Sequence, residues 1–345
     1  MSFRSWVTVV TLVLLGLFVY FAWPEIAHAW GLLGRVNGWI LSLLIPIQFL
    51  SYYAVGSMIF SYLRSKGDLK GVSHWTMTRM ALELNFVNHV LPSGGAAGFS
   101  YLGWVLHRYN VTAGRAAMAQ IVRFAIMFLA FVAIMFISVL ILILDHKVSR
   151  LIIMLSVLLA VAAIGATVFA IYIIGSTKRL STFSDRLARF SNKVVFVVTF
   201  GKKYQVVKRD KVEHFFNELH VDYIDIKRDK KILKTPLIWG IIANLSDVLL
   251  LVIAFMALGS WVNPAVLFVA FGVAGIAGVI SLTPGGAGVY EAIMIAFLAS
   301  SGVAADVAIA GILLARVALL SGTIIFGYVF YQLTIFKYGK TPIQR

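Results

Sequence analysis

Four ionisable residues stand inside apolar stretches of this chain: Arg123, Asp247, Glu291 and Arg316. A charge held at membrane depth costs about 2.5–3.5 kcal/mol on insertion scales, so each such residue is a candidate for chemistry. Arg123 and Arg316 lie about ten residues inside their runs. Asp247 stands beside Ser246 and close to Asn244, and Glu291 follows Gly288 by three positions. Two guanidinium groups suit an anion such as a phosphate, whereas two carboxylates suit an amine or a travelling proton. The plainer alternative is that cations and carboxylates pair and lock helices together, and the sequence leaves both readings open.

The elements that would position these groups are marked by two glycine-rich breaks, Leu91-Pro92-Ser93-Gly94-Gly95-Ala96-Ala97-Gly98 and Leu282-Thr283-Pro284-Gly285-Gly286-Ala287-Gly288. Proline and adjacent glycines stop a helix and free backbone N–H and C=O groups. Lipid cannot satisfy those groups, so such a break lasts only where it is packed in protein or lines a polar cavity. Paired interruptions of this kind point to a transporter's binding site, where restarted half-helices direct their N-terminal N–H groups at an anion. On this reading Ser93, Gly94 and Gly95 of the first break line the site, with Thr283, Gly285 and Gly286 of the second. Asn85 and Asn88, at i, i+3 spacing on the helix leading into the first break, join them, although bonding between helices accounts for them equally well.

Composition sets the class: 61% of residues are hydrophobic and 13% charged. The sequence predicts an all-α, polytopic helical membrane protein with two re-entrant broken-helix hairpins. Spans are expected at about Trp6 to Trp23, Gly38 to Leu63, Ala113 to Leu144, Leu151 to Ile174, Pro236 to Leu258 and Ala304 to Leu333. The hairpins fall at about 72–107 and 264–301, each arm too short to cross alone. The first span reads as retained rather than as a cleaved leader, because no small-x-small site precedes Pro24. These elements divide the chain into an N-terminal membrane half (1–175), a basic connector (176–235) and a C-terminal membrane half (236–345).

Of the 30 Lys and Arg residues, 15 fall between Lys178 and Lys234. That stretch lies between spans, so its charge, and most of the net +16, reads as topology and affinity for anionic headgroups rather than nucleic-acid binding. Its mixture of charged and apolar residues predicts amphipathic helices on the inner surface. With Arg64, Lys66, Lys70 and Arg79 after the second span and Lys337, Lys340 and Arg345 at the end, both termini should be cytoplasmic in a cell-membrane, multi-pass arrangement. The two hairpins then enter from opposite faces, as inverted repeats would. Each break is also followed by a short helix, a small-residue turn and a long span bearing an arginine. True duplication and chance recurrence of small residues explain this equally well.

Other chemistry is poorly represented. Cysteine is absent, and His89 and His107 lack a carboxylate at ligand spacing, so no metal and no cofactor is expected. The first glycine run lacks the Gly-Lys-Ser/Thr ending of a nucleotide-binding loop. No nucleophile, base or metal constellation supports a catalytic assignment.

The segments from Asn85 to Gly98 and from Thr283 to Ala292, the latter reading Thr-Pro-Gly-Gly-Ala-Gly-Val-Tyr-Glu-Ala, resemble the lysylphosphatidylglycerol synthase transmembrane-region family. This family is the flippase-like membrane part of multiple peptide resistance factor, and the likeness runs over nearly the whole chain. Members commonly carry an acidic and a basic residue shortly after the first glycine cluster, where this chain has Gly98-Phe99-Ser100-Tyr101. The resemblance implies movement of a phospholipid or lipid-linked headgroup across the bilayer, with aminoacylated phosphatidylglycerol as one such lipid. It does not imply synthesis, which resides in a soluble domain of longer members, so a separate synthase would be a partner. A homodimer is compatible with the sequence. The competing classes are a membrane-embedded enzyme acting on a headgroup and a non-transporting scaffold.

Overall fold

The computed structural model describes residues 34, 36–90, 96–144, 150–183, 185–186, 189, 224, 227–229, 231–280 and 288–338. The first expected span, both glycine breaks, most of the basic connector and the C-terminal tail lie outside the described residues. The helices are α1 (Gly38–Ser42), α2 (Leu44–Ser65), α3 (His74–Val90), α4 (Ala96–His107), α5 (Ala113–Leu144) and α6 (Arg150–Ile174). They continue with α7 (Lys231–Ala257), α8 (Pro264–Ile280), α9 (Val289–Ser300) and α10 (Ala305–Tyr338). Among the described residues there is no strand.

The chain forms two compact units. One comprises residues 1–17 and 161–234. Its described part holds the second half of α6 and a short helix at 177–183, where the Arg179 guanidinium lies 4.0 Å from the Tyr172 ring and its Nε donates to the Tyr172 carbonyl. The other comprises residues 18–160 and 235–345 and holds every residue of the candidate site.

Among the described residues, four helical stretches are long and apolar enough to cross a membrane: Gly38–Ser65, Met118–Leu144, Lys231–Ala257 and Ala305–Phe336. An unbroken helix satisfies its own backbone, which is why charge-free runs of this length take that form in lipid. The side chains are sorted accordingly. Phe136, Ile137, Leu140 and Leu144 of α5 are exposed, while Gln120, Ser138, Asn244, Ser246 and Thr323 are buried within the bundle. Phe255, Phe268, Met135, Leu267 and Leu298 centre the core formed by α5 and α7 to α10. Phe131 stacks on Phe268 there at 5.2 Å.

Helix bounds differ slightly from the sequence reading. The second span is divided at Leu43 into α1 and α2, and Asn37 caps α1 by accepting from the Trp39 and Ile40 N–H groups. Helix α7 starts at Lys231, five residues before Pro236, whose missing N–H leaves the Ile232 carbonyl without its usual i+4 donor. Asn37 N–H also donates to the Ala257 carbonyl at 2.8 Å, which sets the start of α1 beside the end of α7. Exposed Trp39 and Trp261 mark this end as an interface, and Trp75 marks the opposite one.

The expected hairpins appear as two pairs of short helices flanking the breaks. Helices α3 and α4 pack together, as do α8 and α9. The arms of each pair have 17 and 12 residues, below the roughly 20 needed to cross.

Candidate functional site

The second break ends at Gly288, whose φ of 87° is strained for any residue with a Cβ. Helix α9 restarts immediately afterwards. Its first-turn Glu291 folds back so that Oε2 accepts the Gly288 N–H at 2.6 Å, satisfying one of the orphan donors that a restarted helix exposes. The other carboxylate oxygen, Oε1, lies 2.6 Å from Nε of Arg316 on α10. The Arg316 guanidinium also sits over the Tyr290 ring at 5.1 Å. Tyr290 in turn meets Phe271 of α8 edge to face at 6.4 Å.

Arg316 lines a cavity of about 360 Å³, as do Arg123 on α5, Asp247 on α7 and Asn85 on α3. Ligand sites commonly run from about 300 to 1,000 Å³, so this space accommodates a small polar group such as a lipid headgroup. Arg123 is 8% exposed and its guanidinium stacks on Phe124 at 4.3 Å. Its Nε is buried with no hydrogen-bond partner among the described residues, and no carboxylate pairs with it. Asp247 accepts from the Ser51 hydroxyl at 2.7 Å and has no cationic partner among the described residues. One guanidinium is thus paired, while a second guanidinium and a carboxylate face the same space with their charges uncompensated by each other. Such an arrangement is costly unless a ligand supplies the opposite signs.

The cavity brings together Asn85, Arg123, Asp247 and Arg316, and Glu291 stands one contact away through Arg316. Locking of helices by ion pairs holds for Glu291 and Arg316 but not for Arg123 and Asp247. Ser93, Gly94, Gly95, Thr283, Gly285, Gly286 and the side chain of Asn88 lie outside the described residues. Asn244, next to the site in sequence, points elsewhere, donating to the carbonyls of Gly240 and Met127.

The polar wall contributed by α2 was not anticipated. Gln48, Ser51, Tyr52 and Val55 all line the cavity, at i, i+3, i+4 and i+7. The Gln48 amide donates to the Tyr52 hydroxyl at 2.6 Å and to the Leu319 carbonyl at 2.8 Å, and Tyr52 bonds Thr323 of α10. A search for polar residues at helical spacing, rather than for charges alone, finds this stripe. Helix α10 passes close because Gly322 has no side chain: a Cβ there would overlap the Gln48 amide oxygen.

A second buried polar cluster lies apart from the cavity. Glu83 is fully buried, accepting from Tyr101 at 2.5 Å and Thr334 at 2.6 Å, and Arg79 Nε lies 3.1 Å away. Arg79 also donates to Thr334 at 3.0 Å. The network joins α3, α4 and α10 with its polar groups satisfied, which marks it as a fastening.

Helices of membrane-crossing length around a cavity lined by two guanidiniums and a carboxylate define a multi-pass membrane protein with an internal polar site. The family described as the lysylphosphatidylglycerol synthase transmembrane region matches residues 6–327, and the chain belongs to it. The resemblance read from the two glycine breaks is thereby established. No curated protein matches the chain.

Proposed function

We propose that this protein moves a phospholipid, or another lipid-linked polar headgroup, across the cell membrane, and that the central cavity holds the headgroup in transit. The observation that carries the reading is the placement of Arg123, Arg316 and Asp247 around one space walled by apolar side chains, among them Leu250, Leu251 and Leu319. A phosphate engages the two guanidiniums through charge-assisted hydrogen bonds, and an amine on the same headgroup engages Asp247. Aminoacylated phosphatidylglycerol has both groups, which makes it the substrate of choice. Transit through a polar cavity spares the headgroup the cost of crossing hydrocarbon.

Glu291 is the switching group. While ionised it occupies Arg316. Once protonated, or outcompeted by an incoming phosphate, it releases that guanidinium and keeps its bond to Gly288. Re-entry of each short-helix pair on the side from which it came, with both termini cytoplasmic, completes the scheme. The basic residues after α2 and in the connector support this orientation. A separate synthase would furnish the lipid.

The test is transbilayer movement of fluorescent or aminoacylated phosphatidylglycerol in proteoliposomes. The intact chain should accelerate movement over protein-free vesicles, and Arg316→Gln and Glu291→Gln should abolish the gain with the fold retained. No acceleration for any of several lipids would refute transport. A chemically altered headgroup recovered from the vesicles would instead assign an enzyme.

A further inference from the structure

A second cavity, of about 430 Å³, opens where α2 ends, against the first turn of α3 and the start of α7. Its walls carry two basic side chains, Arg64 and His74, three aromatic ones, Tyr53, Phe60 and Trp239, and several hydroxyls, with no carboxylate among them. The Arg64 guanidinium is held in place: Nη2 donates to the Val72 carbonyl at 2.7 Å and Nη1 lies 3.2 Å from His74 Nε2. A guanidinium has no lone pair to offer, so His74 accepts at Nε2 and carries its proton on Nδ1, which faces the Tyr53 hydroxyl at 3.5 Å. The Arg64 Nε is buried without a hydrogen-bond partner, and no carboxylate pairs with Arg64 among the described residues. A positive charge is therefore fixed by neutral acceptors alone, with one buried donor still unused.

The cavity's depth in the bilayer points to its occupant. Tyr53 and Trp239 meet edge to face at 5.1 Å, and exposed Trp75 lies one residue beyond His74, so aromatic rings mark this level as an interface. Lys66 and Lys70 follow Arg64 directly, which assigns the interface to the inner leaflet. The groups found at that level are phospholipid phosphates over the first carbons of acyl chains. Helix α2 separates this space from the central one, giving Tyr52 to the central cavity and Tyr53 to this one.

We propose that this cavity is a second binding site, which holds the phosphate of an anionic inner-leaflet phospholipid between Arg64 and His74, with Tyr53 and Trp239 against its glycerol and upper chains. The site goes beyond the transport reading and does not require it. Anionic lipid would dock here even if the central cavity moved nothing.

Binding to the purified full chain, carrying Arg316→Gln to disable the central cavity, tests the proposal. The probes are short-chain phosphatidylglycerol, the matching diacylglycerol without phosphate, and inorganic phosphate. The phosphatidylglycerol should bind, and adding Arg64→Gln should weaken it about tenfold or more, the loss expected for a hydrogen bond to a charged group. Thr235→Trp, which fills the mouth while leaving the bonds of Arg64 intact, should do the same with the melting temperature unchanged, and it decides the matter if Arg64→Gln does not fold. Phosphatidylglycerol binding within twofold of the parent in Thr235→Trp, or equal binding of the diacylglycerol, overturns the site. Inorganic phosphate binding as tightly as the lipid overturns the lipid as occupant and leaves a free-anion site.

Discussion

Glu291 and Arg316 are joined across two helices by a 2.6 Å contact, and the same carboxylate caps the helix on which it stands through the Gly288 N–H. Charge pairing and helix initiation therefore share one side chain. Glu291→Gln keeps an oxygen for the Gly288 N–H but removes the negative charge, whereas Glu291→Ala removes both. Transport should fall about tenfold or more in each. Only the alanine variant should also lose helix-cap stability, by about 1 kcal/mol in thermal unfolding. Glu291→Gln combined with Arg316→Gln should transport no worse than the weaker single variant, since the two residues act as a unit.

Under the proposed function, Asp247 should separate substrates. In Asp247→Asn an oxygen remains to accept from Ser51, so the fold should persist. The attraction for an amine is lost. In proteoliposomes, movement of aminoacylated phosphatidylglycerol should drop about tenfold, while plain phosphatidylglycerol should move at least as fast as before. Equal losses for both lipids would remove the amine from the scheme.

Gly322 lets α10 approach the polar wall of α2. Gly322→Ala drives a methyl group into the Gln48 amide and should destabilise the protein by about 1–3 kcal/mol, as overpacking does. Gln48→Ala should restore much of the lost melting temperature in the double variant, because it clears the obstructing atoms. Failure of that rescue would show that Gly322 matters for another reason.

Glu83 and Arg79 form a buried pair whose members do unequal damage when removed alone. Glu83→Leu leaves the Arg79 charge unsatisfied and should cost about 3–5 kcal/mol in unfolding, whereas Glu83→Leu with Arg79→Met should recover most of it. The measurement is thermal or denaturant unfolding in detergent. The double variant should retain transport, since neither residue lines the central cavity.

The architecture was legible in the sequence because its cause is one-dimensional. Uncharged runs of span length fold as helices in lipid whatever their neighbours do, and Pro-Gly clusters interrupt them at fixed places. The starts of α4 at Ala96 and α9 at Val289 fall at the ends of those clusters. The charged lining was legible for a similar reason: Arg123, Asp247 and Arg316 are conspicuous in apolar runs. What escaped was pairing. Nothing local distinguishes Arg316, which meets Glu291, from Arg123, which stacks on Phe124 without a carboxylate. The α2 wall escaped because Gln48, Ser51 and Tyr52 are uncharged, and the meeting of Gln48 and Tyr52 with Thr323 joins residues more than 270 positions apart in the chain. Tyr101 escaped as well, because its hydroxyl donates to Glu83 eighteen positions away across the first break.

The two carboxylates that fasten the short-helix pairs act on the same helix. Glu291 holds α9 to α10 at Arg316, and Glu83 holds α3 and α4 to α10 at Thr334. Those anchor points are eighteen residues apart, about 27 Å along a rigid rod, against a hydrocarbon core of about 30 Å. Helix α10 thus carries the fastenings of both short-helix pairs, at two levels along its length. Any tilt of α10 is therefore felt by both short-helix pairs at once.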